Sequence, residues 1–536
     1  MRSGPSSASC WPGSPSRCPT PRFITIERGR VMSNLETAAQ SDTLCRVAID
    51  PLSRVEGHGK VTLLVDRDHR IRQARLHIVE FRGFEKFIQG RPYWELPVVV
   101  QRLCGICPVS HHLAAAKAVD QLLGIEQIPP TAEKIRRLMH YGQTLQSHAV
   151  HFFHLASPDF LFDFDDKVAH RNVVGVMADH PDIARQGVKL RKYGQEVIRL
   201  TAGKRVHGTG AIPGGVNKAL TLQERNYLLT DIDLMAQWGR NILKLMKVAY
   251  AANPGYFTYF ATIRTNYLSL IRADGALDLY HGGLRAKNER GGLIFDHLDY
   301  RRYAQVLREQ VKSWSYMKFP FINSLGPDNG WYRVGPLARI DNCDFIATPL
   351  AEEERGEFMA LGEGEPIHVT LAYHWARMIE LLHSIEAIKE LLLDPDIFGY
   401  ELVAKGEAAP REGIGVIEAP RGTLFHHYRM NEDGLIEKAN LIVSTTNNNQ
   451  AMNESIRQVA ERYLDGKELT EPLLNQIEVA VRAYDPCLSC ATHALGQMPL
   501  HVELVEEDSG ALMDCLVRDA DGTVRREEAA FTPRER

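Results

Sequence analysis

Two pairs of cysteines with the same spacing lie far apart in the chain: Cys104 and Cys107 in RLCGICPVSHH, and Cys487 and Cys490 in DPCLSCATH. Thiolate sulfurs bind soft transition metals, and the CxxC spacing lets two sulfurs from one backbone turn reach the same ion. Together the pairs can supply four thiolates to one metal centre. A structural zinc site is the alternative, although such sites usually close a loop of about 15–20 residues.

The residues around the cysteines predict how the sulfurs are presented. Asp485 and the proline after it resemble an N-cap and a first helical residue, which predicts a helix start at Cys487. Backbone N–H groups at a helix start favour the thiolate form. If the first segment is helical, Cys104, Cys107 and His111 lie on one face at i, i+3 and i+7. His111 is then a candidate partner for a sulfur, and a histidine that only completes the packing is the alternative.

Hydrophobic periodicity predicts an α+β fold that is mainly multihelical, with a helical core and peripheral β-hairpins and small sheets. Helical periodicity dominates four segments, residues 98–123, 130–155, 366–393 and 450–464. Strands are predicted for residues 61–65, 71–78 and, around a turn at 431–434, for 413–446. The charged and glycine-rich segment 274–301 is predicted to be a peripheral insertion.

Composition is that of a cytoplasmic enzyme subunit. A chain of 536 residues with 44% hydrophobic residues can bury a large core, and a net charge of −4 gives no reason to expect nucleic-acid or anionic-membrane binding. No apolar run reaches the roughly 18–20 residues of a membrane span. The nine cysteines are odd in number and include two CxxC pairs, which argues against a disulfide framework.

The first 31 residues differ from the rest of the chain. Residues 1–31 are rich in Ser, Pro, Arg and Gly, contain no apolar signal region and precede a second methionine, Met32. We predict that they lie outside the fold, either because translation begins at Met32 or because they form a disordered extension. We assign no metal role to the five unpaired cysteines, which are Cys10, Cys18, Cys45, Cys343 and Cys515.

Both cysteine segments resemble the signatures of the nickel–iron hydrogenase large subunit, RxCGxCxxxH and DPCxxCxxH, and both signatures are complete. The resemblance continues through RVEGH at 54–58, FRGFE at 81–85, EAPRG at 418–422 and residues 441–446. It implies that residues 47–493 form the catalytic domain, with the large-subunit fold of that family. Within the family the chain looks most like the hydrogenase subunit of soluble, bidirectional NAD-reducing enzymes.

The resemblance implies a nickel–iron centre whose iron also carries carbon monoxide and cyanide. Cys104 and Cys487 would bind nickel terminally, while Cys107 and Cys490 would bridge nickel and iron. No cysteine pair is left for an iron–sulfur cluster in this chain. Splitting H2, the implied substrate, releases a proton, and Glu56 matches the glutamate that relays it from Cys487 toward solvent. Taken alone, Glu56 would be interpreted as a solvated loop carboxylate.

The resemblance also implies a polar wall beside the metals. Arg421 matches a guanidinium above the open metal position, and Pro420, Ser444 and Thr445 match the part of the wall that faces cyanide. Guanidinium and hydroxyl groups can donate hydrogen bonds to an anionic ligand. Many family members carry aspartate where Ser147 stands, so a catalytic role for an Arg–Asp pair is weakened here. Without the resemblance, Arg421 would be interpreted as a surface residue in a turn.

Two further implications concern the end of the chain. Glu85 and His493 match ligands of a magnesium-type ion, helped by the backbone carbonyl of Leu441 and by waters. In the family, nickel insertion is followed by cleavage after that histidine, here the His493–Ala494 bond, by a specific C-terminal endopeptidase that works with a maturation chaperone. Residues 494–536 would then be a propeptide, and an ordinary edge hairpin and tail is the alternative.

The function implied is that of a cytoplasmic catalytic subunit that oxidises H2 and reduces protons. Electrons would pass to an iron–sulfur small subunit, then to flavin- and NAD-binding diaphorase subunits. The alternatives are an NADP- or deazaflavin-linked hydrogenase, an H2-sensing regulatory hydrogenase, a four-cysteine zinc protein and a complex I-type quinone-site subunit. Retention of all four cysteines speaks against the last of these. No GxGxxG loop occurs, so the NAD linkage rests on similarity alone.

Overall fold

The computed structural model describes residues 24–28, 45–162, 168–312, 314–406, 410–492, 500–505, 512–518 and 523–528. The longer helices of these ranges are named α1 to α8, and they are Pro108–Leu122, Pro130–Val150, Pro181–Ala202, Leu222–Ala252, Pro349–Met359, Ala372–Leu393, Asn449–Val459 and Glu471–Ala483. The shorter α-helices are Phe84–Phe87, Leu96–Val99, Ser157–Leu161, Val173–Asp179, Tyr256–Tyr259, Tyr303–Val306, Gly326–Asn329, Pro336–Asn342 and Ser444–Asn447.

Local signals set where several helices begin and end. Helices α1, α2 and α3 each begin with proline, whose missing N–H has no intrahelical partner to lose in the first turn. Helix α4 begins with a capping box, because the Thr221 hydroxyl accepts from the Glu224 N–H while the Glu224 carboxylate accepts from the Thr221 N–H. Helix α3 ends at Gly203, whose φ of 82° is the left-handed conformation that favours glycine.

The predicted helices are mostly confirmed, with two differences. The predicted lengths of two segments are reached through π-helices: α2 continues into His151–Ala156, and α7 continues into Ala460–Leu464. The two differences concern α6 and the segment 98–123. Helix α6 begins at residue 372 rather than 366, because backbone groups of Ile367 and His368 bond to distant side chains, those of Asp341, Tyr267 and Arg333, instead of to helical neighbours. The predicted helix over 98–123 is interrupted at the first cysteine pair, where backbone N–H groups donate to sulfur.

The strands form small, mainly antiparallel sheets around the helices. Their memberships are Ile24–Arg28 with Cys45–Ile49, Gly59–Val65 and Ile71–Ile78; Tyr332–Arg333 with Asn266–Ile271, Gly283–Lys287 and Leu293–Leu298; Glu412–Ala419 with Gly422–Met430 and Ile436–Ile442; Leu500–Val505 with Leu512–Arg518 and Val524–Glu528; Leu307–Gln310 with Phe319–Ile322; and Ala211–Ile212 with Gly215–Val216. We call Glu412–Ala419 and Gly422–Met430 the site hairpin. Ala419 pairs with Gly422, so Pro420 and Arg421 form its two-residue tip.

Two segments for which the sequence predicted no strands contain strands in the structure. Ile24–Arg28 lies within the segment predicted to be outside the fold, yet it pairs with Cys45–Ile49 and adds an edge strand, because its backbone N–H and C=O groups complete that ladder. The segment 274–301 is not wholly peripheral. Its strand Gly283–Lys287 pairs on both sides and buries its central residues, and only the edge strand Leu293–Leu298 is largely exposed.

The helices enclose the main apolar core. Helices α2 and α3 approach closely where Gly194 faces Gly142. A Cβ added to Gly194 would lie 2.6 Å from the backbone oxygen of Gly142, so this contact requires glycine. A separate apolar cluster joins α1 and the site hairpin to all four paired cysteines. Among the helices of the described ranges, none has the length and apolar character needed to cross a bilayer. The predicted α+β, mainly multihelical class is confirmed.

Candidate metal centre

The structure brings the two cysteine pairs together in the interior. Cys104, Cys107, Cys487 and Cys490 are 2, 5, 1 and 0% exposed, and their four Sγ atoms all lie within 4.8 Å of one another. The Sγ atoms of Cys104 and Cys487 are 3.4 Å apart, and those of Cys487 and Cys490 are in direct contact. A metal that binds all four sulfurs requires the second pair as separate thiolates.

The first pair lies in a turn rather than in a continuous helix. Cys104 has extended backbone angles (φ −145°, ψ 140°), and the N–H groups of Ile106 and Cys107 donate to its Sγ at 3.2 and 3.1 Å. These N–H groups therefore bond to sulfur and not to backbone carbonyls of a preceding turn. Helix α1 begins at the next residue, Pro108. The predicted helix through this pair is wrong for that reason.

The two thiols of the first pair differ in acidity. Burial opposes the thiolate form of Cys104, but the hydrogen bond from Cys107 and the charge of Arg421 lower the pKa of Cys104 below its ordinary value. The hydrogen bond to Cys104, together with burial, raises the pKa of Cys107 well above its ordinary value. The hydrogen bond between the two thiols contributes to both shifts and favours the thiolate form of Cys104.

The second pair does not begin a helix. Asp485 has a left-handed φ of 55°, and between it and residue 492, where this described range ends, the helical structure is limited to the short 3₁₀-helix Ser489–Ala491. The carboxylate of Asp485 binds Arg421 instead of capping a helix, so the predicted N-cap is wrong. The N–H of Cys487 donates to the hydroxyl of Thr445 at 3.0 Å, which fixes the backbone that presents the sulfur.

Glu56 lies beside the second pair. Its backbone bridges to Cys487 in parallel, and its carbonyl accepts the N–H of Leu488 at 3.0 Å. Its half-buried carboxylate accepts the N–H of Ser489 at 3.2 Å and a short hydrogen bond from the Ser489 hydroxyl. Gly57 permits this approach, because a Cβ there would lie 2.6 Å from the Ser489 nitrogen. The carboxylate is thus held against Ser489 of the second cysteine segment and is partly exposed to solvent.

Arg421 is buried at the tip of the site hairpin and is fixed by three contacts. Its Nη2 donates to Asp485 Oδ1 at 3.0 Å, its Nε donates to the Asp485 carbonyl at 2.6 Å, and its Nη1 donates to the Ser147 hydroxyl at 3.3 Å. Burial alone would lower the pKa of Arg421, but the Asp485 carboxylate raises it, so the guanidinium stays charged. Arg421 therefore has a carboxylate partner in Asp485, while position 147 supplies only a hydroxyl, and the weakened catalytic role of an Arg–Asp pair at position 147 stays a prediction.

The remaining wall residues are buried close to the tip of the site hairpin. The Ser444 hydroxyl donates to the Gly422 carbonyl at 2.8 Å, and Thr445 accepts from Cys487 as described above. The carbonyl of Pro420 accepts a hydrogen bond from Arg339 at 3.2 Å. Each of these contacts is internal to the protein, and the predicted role of Pro420, Ser444 and Thr445 toward cyanide stays a prediction.

His111 lies on α1 and is linked to the site hairpin. Its Nδ1 lies 3.1 Å from Nε2 of His426, whose Nδ1 is 2.5 Å from the Tyr428 hydroxyl. Burial lowers the pKa of His111 to about 3, so its imidazole is neutral. The predicted hydrogen bond from His111 to a cysteine sulfur stays a prediction.

The residues predicted to bind a magnesium-type ion are only partly described, because His493 lies outside the described residues. Glu85 Oε1 accepts the N–H of Leu441 at 2.8 Å, so the two predicted residues are in contact. The ammonium of Lys318 lies 3.7 Å from the same carboxylate oxygen and 3.2 Å from Glu309. Burial raises the pKa of Glu85 even though Lys318 opposes this.

Sequence reasoning missed a buried charged network behind the hairpin tip. Arg339 pairs with Glu380 and Glu418, and all three side chains are 0% exposed. His148, directly after Ser147, lies 3.0 Å from Glu380. The detectable signal was a glutamate within the apolar run of α6, because a charge at such a position requires a buried partner.

Known proteins resemble this chain over most of its length. A family described as nickel-dependent hydrogenase matches residues 82–169 and 292–493, and one described as HoxL-like matches residues 46–81. The NAD-reducing hydrogenase HoxS subunit beta of Cupriavidus necator is 46% identical over 483 residues, which cover 88% of this chain and 99% of that protein. The vhc F420-non-reducing hydrogenase of Methanococcus voltae has a subunit that is 39% identical over 486 residues, covering 88% of this chain and 100% of that protein.

A solved structure gives the same result in three dimensions. The crystal structure of an NAD+-reducing nickel–iron hydrogenase in the H2-reduced state superimposes with a TM-score of 0.83 and 56% sequence identity, covering 85% of this chain and 100% of that chain. The family match extends over the segments that carry both cysteine pairs.

Proposed function

The chain belongs to the nickel-dependent hydrogenase family, and on that premise we propose that it is the catalytic subunit of an NAD-linked nickel–iron hydrogenase. The reaction is the reversible oxidation of H2 to protons and electrons. The observation that carries the proposal is the convergence of four buried cysteine sulfurs within 4.8 Å, supplied by both family signatures.

The residues present fit a nickel–iron centre. Four buried sulfurs are a soft donor set, and two N–H groups and a nearby guanidinium favour the thiolate form of Cys104. Cys104 and Cys487 would hold nickel terminally, and Cys107 and Cys490 would bridge to iron. When bound, this centre supplies the Lewis-acidic and redox-active position at which H2 is split heterolytically.

The protein's own groups then handle the proton and the charge. Glu56, whose backbone bridges to Cys487, would be the base that takes the proton from Cys487 Sγ, and its half-buried carboxylate would pass the proton toward solvent. The positive charge of Arg421, held in place by Asp485, acts on Cys104 and Cys107 and would compensate negative charge that develops at the sulfurs. The buried walls exclude water from the sulfurs.

We extend the proposal to the ligands and the partners. The iron would carry carbon monoxide and cyanide, Pro420, Ser444 and Thr445 would face the cyanide, and Glu85, Leu441 and His493 would hold a magnesium-type ion. An iron–sulfur small subunit receives the electrons, and flavin- and NAD-binding diaphorase subunits pass them to NAD+, which favours a cytoplasmic location. The similarity to a HoxS subunit beta and to an NAD+-reducing enzyme supports these partners.

We also propose a maturation sequence. Residues 47–493 form the mature catalytic domain, and an endopeptidase removes residues 494–536 at the His493–Ala494 bond after a chaperone has assisted nickel insertion. The signature DPCLSCATH, which ends at the cleavage position, supports this step. Trimming after metal loading would make the mature chain end next to the second cysteine pair.

The test is infrared spectroscopy with elemental analysis on the complex purified through a tag placed after Met32, followed by assays of H2-dependent NAD+ reduction. Carbonyl and cyanide bands with both nickel and iron are expected, together with NADH formation. Zinc alone and no such bands would reject the hydrogenase assignment. A third outcome is possible, in which the carbonyl and cyanide bands are present and H2 reduces an artificial dye but no NADH forms. It would reject only the NAD linkage and would favour an enzyme like the F420-non-reducing relative.

A further inference from the structure

The guanidinium of Arg339 uses all five of its N–H donors inside the protein. Its Nε and Nη2 donate to the two carboxylate oxygens of Glu380 at 2.6 Å each, and its Nη1 donates to Glu418 at 2.9 Å. The remaining two N–H groups donate to the carbonyls of Ala419 at 2.9 Å and Pro420 at 3.2 Å. A planar guanidinium with five donors is the side chain that can satisfy such a set.

The two carbonyls belong to the tip of the site hairpin. Pro420 immediately precedes Arg421, so the Arg339 contacts fix the backbone from which the Arg421 side chain extends. The short helix Pro336–Asn342, which carries Arg339, begins directly on this tip. Gly335, its N-cap, is so close that a Cβ there would lie 2.9 Å from the Arg421 carbonyl oxygen.

A second series of contacts links Arg339 to Arg421 through Glu380 and helix α2. Glu380, bound by Arg339, lies 3.0 Å from Nε2 of His148. The residue before His148 is Ser147, whose hydroxyl accepts from Arg421 at 3.3 Å. Arg339 and Glu380 thus support both the backbone that presents Arg421 and the helix that carries one of its hydrogen-bond acceptors.

We propose that Arg339 is a positioning residue that sets the location of Pro420 and Arg421 relative to the cysteine cluster, on whose first pair the charge of Arg421 acts. This inference rests on the proposed function, since it assigns Arg339 the task of holding the wall beside the metal centre. Displacing that wall by a fraction of an ångström changes the hydrogen bonding and the electrostatic field at the sulfurs and at any ligand between them.

Arg339→Lys tests the proposal because it keeps the charge but offers three donors from one nitrogen, which leaves at least two of the five contacts unmade. The matched control is Arg136→Lys. Arg136 is also fully buried and binds Asp120 and the carbonyls of Ile212 and Gly215, none of which belongs to the cysteine site. Both variants lose buried hydrogen bonds, so both should be less stable than the wild type.

The readouts are the infrared bands of the diatomic ligands in the complete, purified complex, and separate values of kcat and KM for H2. We expect Arg339→Lys to shift the cyanide bands by more than their line width and to lower kcat roughly 10- to 100-fold with little change in KM. Arg136→Lys should keep the wild-type band positions. Identical bands in Arg339→Lys and the wild type, or equal shifts in both variants, would overturn the proposal.

Should Arg339→Lys fail to accumulate, Glu418→Gln provides the same test. Glu418 accepts from Arg339, from the Leu270 N–H at 2.8 Å and from the Thr423 hydroxyl at 2.8 Å, and the amide places an NH2 group against one of these donors. Shifted bands support the proposal and unshifted bands overturn it. Absence of diatomic bands in the wild type would instead reject the proposed function, so the two failures are distinguishable.

Discussion

Arg421 and Asp485 form an ion pair that is shielded from solvent, with 3.0 Å between Nη2 and Oδ1 and side-chain exposures of 3 and 2%. The Nε of Arg421 also donates to the Asp485 carbonyl at 2.6 Å. These contacts connect the tip of the site hairpin to the segment that leads into the second cysteine pair. The hydroxyl of Ser147 accepts one further hydrogen bond from Arg421, whereas the negative charge that faces the guanidinium comes from Asp485.

Asp485→Asn should destabilise the protein more than the loss of one hydrogen bond. It leaves the buried Arg421 charge without its carboxylate, and breaking a buried pair costs about 3–5 kcal/mol. Ser147→Ala, which removes only a 3.3 Å contact to the same guanidinium, should cost about 1 kcal/mol. The midpoints of urea unfolding give the comparison. Equal midpoints for the two variants would show that the Asp485 carboxylate contributes no more than the Ser147 hydrogen bond.

Glu56→Gln should retain nickel and iron but slow the exchange of H2 with deuterated water. The amide can still accept the Ser489 N–H, so the loop is preserved, but it cannot take up a proton. Glu80→Gln is the control, since Glu80 binds His58 at the surface near the same loop. Exchange as fast as in the wild type would remove Glu56 from the proton path.

Cys490→Ala should prevent assembly of the metal centre and leave residues 494–536 attached. The variant offers three sulfurs instead of four, and the proposed cleavage follows metal loading. Cys343→Ala is the control, because Cys343 is a buried thiol outside the four-cysteine cluster. Intact mass and nickel content report both steps. A trimmed Cys490→Ala chain would separate cleavage from metal loading.

Glu85→Gln should lower the magnesium content of the purified complex. The amide keeps an oxygen for the Leu441 N–H but loses the negative charge that a hard cation prefers. Glu309→Gln, which removes the other carboxylate beside Lys318, should leave the magnesium content unchanged. Elemental analysis after exhaustive dialysis gives both values. If the two variants lose magnesium equally, the ion does not depend on Glu85 specifically.

His383 should make the stability of the protein depend on pH. Burial lowers its pKa from 6.5 to about 4, so the unfolded chain binds the proton first as the pH falls. The contribution is present above pH 6.5 and is lost as the pH falls toward 4, a total of about 3 kcal/mol. His383→Gln should therefore reduce the difference between urea midpoints at about pH 7.5 and about pH 5. An unchanged difference would contradict this assignment.

The parts of the site that depend on local spacing were predictable from the sequence. The CxxC pairs indicated a shared site, and the structure brings their sulfurs together. The break at Cys104 was not predictable, because the apolar periodicity continues through the turn while two N–H groups donate to sulfur. Asp485 has the local pattern of an N-cap, but a partner 64 residues away in the sequence binds its side chain.

The buried charged network of Arg339, Glu380 and Glu418 was also only partly predictable from the sequence. A glutamate within the apolar run of α6 indicates a buried charge, but the sequence does not say that its partner is Arg339, 41 residues earlier. Likewise, Arg339 reaches the tip of the site hairpin only because a short helix packs there. Partners of buried charges are chosen by the packing of the elements, which local patterns do not encode.

The separation of 383 residues between Cys104 and Cys487 also has a consequence in time. At about 5–20 residues per second, the ribosome needs roughly 20 to 80 s to add that length of chain. During this interval the first two thiols are already synthesised and have no second pair to meet. Oxidation, or capture of a competing metal by the first pair alone, can therefore occur before the complete site exists, and protection of the nascent chain matters most in that interval.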